Sequence, residues 1–251
     1  MAEPSTTPIP AATLVLFRHR SASPELLFVE RSKAMAFAGG ALVFPGGRVD
    51  PGDHALATRY DGDPDDIAGR IAAIRETLEE VGVPVGLGAM TADRIKALRQ
   101  ALNGREPFGT ALAAYDLHLS IADLVPFARW CPSHAPARIF DARFYIAEVP
   151  RHAPDPIVDD TENVRVFWAT ARDVLERADA GKATLIFPTR RNLERLAQFG
   201  SFEAAAADAA NHPIRTITPW TEHRAGVPHL CIPDDLGYPV TAVPMTDAIR
   251  G

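Results

Sequence analysis

With 251 residues the chain is long enough to bury a sizeable core within one large domain. A formal charge of -6 argues against a nucleic-acid surface, which needs Lys and Arg to neutralise phosphates, and 47% apolar with 23% charged residues argues against extensive disorder. Cys131 and Cys231 stand far apart with no CxxC spacing, so neither a zinc site nor a disulfide framework is implied.

The opening "MAEPSTTPIP" is rich in Pro and Thr and carries no basic leader, so a reducing cytoplasm is the expected compartment. The apolar "ATLVLF" behind it falls short of the about 20 residues of a membrane span. It predicts a strand at 12–18, and no membrane partner is expected. Two more strands are predicted at 25–30 and 41–44, after which "FPGGRVDPGD" leaves the last of them abruptly, with glycines able to adopt backbone angles closed to other residues.

Asp63 then offers an N-cap, Pro64 the first helical position, and Asp65 and Asp66 a first turn favoured by the helix dipole. The helix is predicted to run to Val81, with Gly82 as its stop and Pro84 behind it. Residues 84–128 read as a helical insertion, Ile95, Leu98 and Leu102 forming one stripe. Strands follow at 139–149 and 164–168, helices at 171–178, from 189 and at 202–210, and hairpin character in "TEHRAGVPHL".

The informative segment is "RIAAIRETLEEVGV". At about 100° per residue, Ile71, Ile74, Leu78 and Val81 share one quadrant while Glu76, Glu79 and Glu80 gather opposite. Glutamates at such spacing repel by a few tenths of a kcal/mol per pair, roughly, and Arg75 relieves only part of this. Alone, the face reads as solvated. Beside a glycine turn at Gly46 and Gly47, whose carbonyls can face a ligand, it becomes the hard-oxygen set preferred by Mg²⁺ or Mn²⁺.

Gly47, Asp53 and the run Arg75-Glu76-Thr77-Leu78-Glu79-Glu80-Val81-Gly82-Val83 resemble the Nudix box, G-x5-E-x7-R-E-U-x-E-E-x-G-U. Asp53 stands in place of a glutamate, and the 21 residues 54–74 occupy the place of seven; tripling a flexible connection costs only about 1 kcal/mol of closure entropy. The resemblance implies an α/β fold, a Nudix α/β/α sandwich with a mixed sheet, formed by the whole chain as one domain with the insertion at 84–128. It also implies that Glu76, Glu79, Glu80, Asp53 and the Gly47 carbonyl hold Mg²⁺ or Mn²⁺, with Arg75 orienting the acids.

The split box is similar to that of the coenzyme A diphosphatase-like subgroup, as are "RWCPSHAPARIFDARFYIA" at 129–147 and "FPTRRNLERLAQF" at 187–199. "LLFVERSKAMAFAGGALVFPGG" resembles the coenzyme A signature through Leu26, Leu27, Arg31, Ser32, Gly40 and the 44–47 turn, with Ala36 where that signature has an arginine. The implied activity is metal-dependent pyrophosphohydrolysis of a nucleoside diphosphate linked to another group. Coenzyme A or acyl-CoA is the first substrate expected, and ADP-ribose, NADH, a dinucleoside polyphosphate or a non-catalytic nucleotide sensor are the alternatives.

Arg31 and Arg143 are candidates to neutralise the remaining substrate charge, with Gly46 and Ser32 beside them. Glu162, six residues before Trp168, matches a spacing common after the box, in a region where family members place a further metal ligand or base; Asp155, Asp159 and Asp160 in the same loop are the alternatives. Trp130, Trp168 and Trp220 read as packing residues, with an adenine platform as the alternative for each. The partner expected is thus a small nucleotide-type molecule, and a homodimer is compatible with the sequence.

Overall fold

The computed structural model describes residues 7–20, 23–35, 38–133, 138–158 and 163–248. Strand β1 (Ile9–Arg18) lies inside an eight-stranded mixed sheet with β2 (Glu25–Arg31), β3 (Leu42–Val43), β4 (Gly46–Arg48), β5 (Val125–Trp130), β6 (Phe140–Glu148), β7 (Asn163–Thr170) and β8 (Thr216–Ile217). The order runs β3-β2-β1-β6-β5-β8, with β4 also paired to β1 and β7 to β2. β1 and β6 are parallel from Ile9↔Phe140 to Phe17↔Glu148, and β4 runs antiparallel to β1 with Gly47 opposite Ala12.

The continuous apolar run of β1 has a simple cause: both faces of its sheet are covered. Alternate residues serve opposite cores. Leu14 and Leu16 pack with Leu27, Val29, Ile71, Ile74 and Leu78, whereas Val15 and Phe17 pack with Leu26, Phe28, Val174, Leu193 and Leu196. Full burial of each such side chain stabilises by roughly 1.5–3 kcal/mol. The first core is closed by α1 (Pro51–Ala57), α2 (Pro64–Val81), α3 (Ala92–Asn103) and α4 (Phe108–Ala114). The second is closed by α5 (Ala171–Asp179), α6 (Phe187–Leu196) and α7 (Phe202–Asn211), giving the expected α/β/α sandwich.

α2 has the predicted limits for the predicted reasons. Asp63 accepts from the Asp65 amide at 3.0 Å, Pro64 opens the helix, and Gly82 ends it in the left-handed region at φ 71°. Ile71, Ile74, Leu78 and Val81 are all fully buried.

Two elements differ from expectation. The helical reading of 84–128 holds for α3 and α4, but 125–128 belong to β5, where Pro126 sits at a register shift between Pro126 and Ala128. Proline is tolerated in a sheet at such an irregularity because the ladder there asks for no amide. The second difference is α1, which fills part of the connection that the sequence leaves as turn and loop. Leu56 and Ala57 bury it against α2, so the long connection is itself structured.

Beyond the sandwich, β9 (Trp220–Arg224), β10 (Val227–Cys231) and β11 (Ala242–Pro244) form an antiparallel sheet in the order β11-β10-β9, followed by α8 (Met245–Ala248). Among the described residues no helix is long and apolar enough to cross a membrane.

Candidate active site

β4 and the C-terminal half of α2 meet on the wall of a cleft of about 1610 Å³. Gly46, Gly47, Asp53, Arg75, Glu76, Glu79 and Glu80 all line it. Strand β1 leaves no room for a side chain at Gly46, and Gly47 lies against the flexible end of the Glu76 side chain. A Cβ on Gly47 would lie 2.3 Å from the carboxyl carbon of Glu76, and one on Gly46 would lie 2.4 Å from the carbonyl oxygen of Ala12.

Arg75 organises the acids. Its Nε donates to Asp53 Oδ1 at 3.0 Å and its Nη2 to Asp53 Oδ2 at 2.9 Å and to the Arg48 carbonyl at 2.9 Å. Its Nη1 donates to Glu76 Oε1 at 2.8 Å and Glu79 Oε1 at 3.1 Å. A guanidinium has five N–H donors, so this set can satisfy all of them. Burial alone would depress the Arg75 pKa, but the hydrogen bonds it donates to Asp53 and the charges of Glu76, Asp53 and Glu79 outweigh it and raise the pKa above the usual value.

The glutamates are less solvated than a surface face would be. Burial pushes Glu76 up to about 7 against the pull of Arg75, and Glu79 is raised for the same reason. Burial followed by the charge of Glu76 pushes Glu80 up to about 8, although the Gly46 amide donates to its Oε2 at 3.2 Å and Arg31 lies within electrostatic reach.

This arrangement has a pH consequence. A carboxyl whose folded pKa exceeds its ordinary 4.5 contributes stability below 4.5, and the contribution disappears as pH rises through the folded value of about 8. In chelator, the melting temperature of the native protein is therefore expected to fall across that window, and Glu80→Gln to flatten the fall. An unchanged slope in the variant would remove Glu80 as its source.

The donor set fits a divalent cation. Asp53, Glu76, Glu79 and Glu80, if all ionised, exceed the Arg75 and Arg31 cations by two charges, and every donor is a hard oxygen. Among the described residues no three His, Cys, Asp or Glu side chains already converge as a metal cage. The fit therefore lies in charge and chemistry, with the acids drawn together by Arg75.

No family model matches the chain. Against solved structures, it superposes on a NUDIX hydrolase from Alicyclobacillus acidocaldarius with a TM-score of 0.72 and 28% identity, covering 81% of this chain and 97% of that one. The fold is that of the Nudix hydrolases. A MutT protein from Methanosarcina mazei Go1 is similar at TM-score 0.46 and 14% identity (78% of this chain, 97% of that one), and a MutT NUDIX hydrolase from Burkholderia pseudomallei at 0.43 and 17% (75% and 97%). The likeness to the first of these supports a pyrophosphohydrolase.

Within this Nudix sandwich the sequence-derived candidates separate. Arg31 lies on the cleft wall with Gly46, Gly47 and the α2 glutamates. Asp53, read from sequence as a metal ligand, is 1% exposed and turned to Arg75, and its Oδ2 also accepts from the Asp50 amide at 2.8 Å. Arg143 does not line the cleft; it lies 3.9 Å from Asp66, near the opposite end of α2. Ser32 does not line it either, and its hydroxyl accepts from the Ala34 amide at 3.4 Å. Glu162 lies outside the described residues, as do Asp159, Asp160 and Ala36.

Several cleft residues escaped the sequence reading. Arg48, Arg105 and Arg138 line it, as does Pro107 from the insertion, while Trp220 from the small sheet, read first as a packing residue, lines it too. Arg105 carries no motif, and only the return of the chain after α3 puts it there. From α3, Arg99 reaches the far end of the acidic helix, donating to the carbonyls of Glu79 at 3.1 and 2.8 Å, of Glu80 at 3.2 Å and of Ile157 at 3.1 Å.

Proposed function

We propose that the protein cleaves the pyrophosphate bond of a nucleoside diphosphate joined to a second group, at the acidic end of the cleft, with coenzyme A or an acyl derivative as the first substrate to test. The observation that supports this best is the Arg75-ordered group of Glu76, Glu79 and Asp53, with Glu80 beside it, opening on one large cleft. For coenzyme A itself the support is the sequence resemblance around Arg31 and the 44–47 turn. The whole chain is read as one such unit, its insertion and small sheet being additions to the sandwich.

In this proposal Glu76, Glu79 and Glu80 hold Mg²⁺ or Mn²⁺, together with backbone oxygen from the Gly46–Gly47 turn. When bound, such an ion supplies charge neutralisation at the pyrophosphate and lowers the pKa of water. Asp53 is a positioning residue: it fixes Arg75, and Arg75 fixes the oxygens of Glu76 and Glu79. Arg31 pairs with a phosphate oxygen, a task suited to a guanidinium. The raised pKa values of Glu76 and Glu80 make each able to take up a proton near neutral pH when no cation faces it.

The test is a substrate panel with Mg²⁺ or Mn²⁺: coenzyme A, ADP-ribose, NADH and dinucleoside polyphosphates, following release of 3',5'-ADP or AMP. Product from at least one, abolished by chelator, is the expected result. Ligand binding without product under any divalent ion would replace the hydrolase reading with that of a nucleotide sensor.

A further inference from the structure

The cleft is larger than hydrolysis of a pyrophosphate alone requires. Small-molecule pockets occupy about 300–1,000 Å³, and this one reaches 1610 Å³ because its wall continues from α2 across the sandwich to the small sheet. Chemistry changes along that wall. Carboxylates and Arg31 mark one part, while Pro219, Trp220 and Leu230 mark another.

Trp220 stands out in burial and in company. A tryptophan normally hides most of its large apolar surface, yet Trp220 is 44% exposed on β9. Five described large apolar residues are exposed: Ile157, Val164, Ile214, Trp220 and Val227. Of these, Trp220 lines the cleft and the other four do not. The other two tryptophans are already engaged. Trp130 is 1% exposed, meets Phe187 and Tyr238 edge-on and donates to Asn192, and Trp168 carries the Arg18 guanidinium 4.4 Å above its ring. Among the described residues, no ring or guanidinium stacks on Trp220.

We infer that Trp220 is the nucleobase platform of the cleft, a specificity-determining residue that stacks on the base of the nucleotide whose pyrophosphate lies at the α2 glutamates. The inference rests on the proposed pyrophosphohydrolase reading for the position of the diphosphate. It adds that the small sheet outside the sandwich recognises the substrate. A flat aromatic face accepts any base, so selection here is for a base over a bare sugar phosphate, with modest preference among bases.

The test is calorimetric titration of the intact protein in chelator with AMP and with ribose 5-phosphate, comparing native protein with Trp220→Ala and Trp220→Phe. Removal of a stacking ring weakens base binding roughly tenfold or more. The expected result is that loss for AMP in Trp220→Ala, little change for ribose 5-phosphate, and recovery in Trp220→Phe. With metal and a hydrolysed substrate, the same variant should raise KM and leave kcat nearly unchanged. Equal loss for both ligands, no loss for either, or no AMP binding by native protein at millimolar concentration would overturn the assignment. Hydrolysis that ignores Trp220 refutes this inference alone; Trp220-dependent AMP binding without any hydrolysis refutes the enzymatic reading alone.

Discussion

Glu79→Gln is expected to lower kcat by about a hundredfold to a thousandfold, the cost of removing one fixed electrostatic group from a transition state, while leaving the fold intact. The substitution preserves shape and removes charge. In the structure the Glu79 side chain is 23% exposed and meets Arg75 through one oxygen, so an amide can occupy the same place without opening a cavity. Its backbone carbonyl, held by Arg99, is untouched. Steady-state kinetics beside a thermal melt separate the two effects. An unchanged kcat would take Glu79 out of the reaction, and a collapsed melt would make its role structural.

Arg75→Met should do the opposite, acting first on stability. The side chain is 7% exposed and bonded to three carboxylates and a carbonyl, so its loss leaves buried anions facing one another. Breaking a buried pair by removing one partner costs about 3–5 kcal/mol, and for a domain of this length that is roughly 6–20 °C in melting temperature. Adding Mg²⁺ is expected to recover part of the loss, because a cation at the glutamates relieves the same repulsion. A variant that melts like the native protein would mean that the acids are neutralised by protonation, with Arg75 dispensable.

The acidic helix was legible because its signals are local. Asp63, Pro64 and Gly82 mark its ends, and the spacing of Glu76, Glu79 and Glu80 against Ile71, Ile74 and Leu78 marks its two faces. The partnership of Asp53 with Arg75 was not legible as such. Those residues are 22 apart in the chain and meet only because α1 folds the intervening residues against α2. Burial of Glu80 is equally non-local, since it depends on the Gly46 amide arriving from β4. β5 was lost among helical signals because its Pro126 argues against a strand unless the irregularity beside it is known. Trp220 and Arg105 reach the cleft through the placing of whole elements, which no spacing in the sequence encodes.

Arg99 ties the insertion to the acidic helix in a way that bears on how the chain can change. The last turn of α2 ends in carbonyls that carry the negative pole of the helix, at the very turn bearing Glu79 and Glu80, and a cation at such an end is favourable. The same insertion contributes Arg105, Pro107 and Phe108 to the cleft wall. Reshaping that wall to admit a different molecule therefore also tugs on the clamp that steadies the acids. Loss of Arg99 is accordingly expected to disturb the cleft wall and the last turn of α2 together.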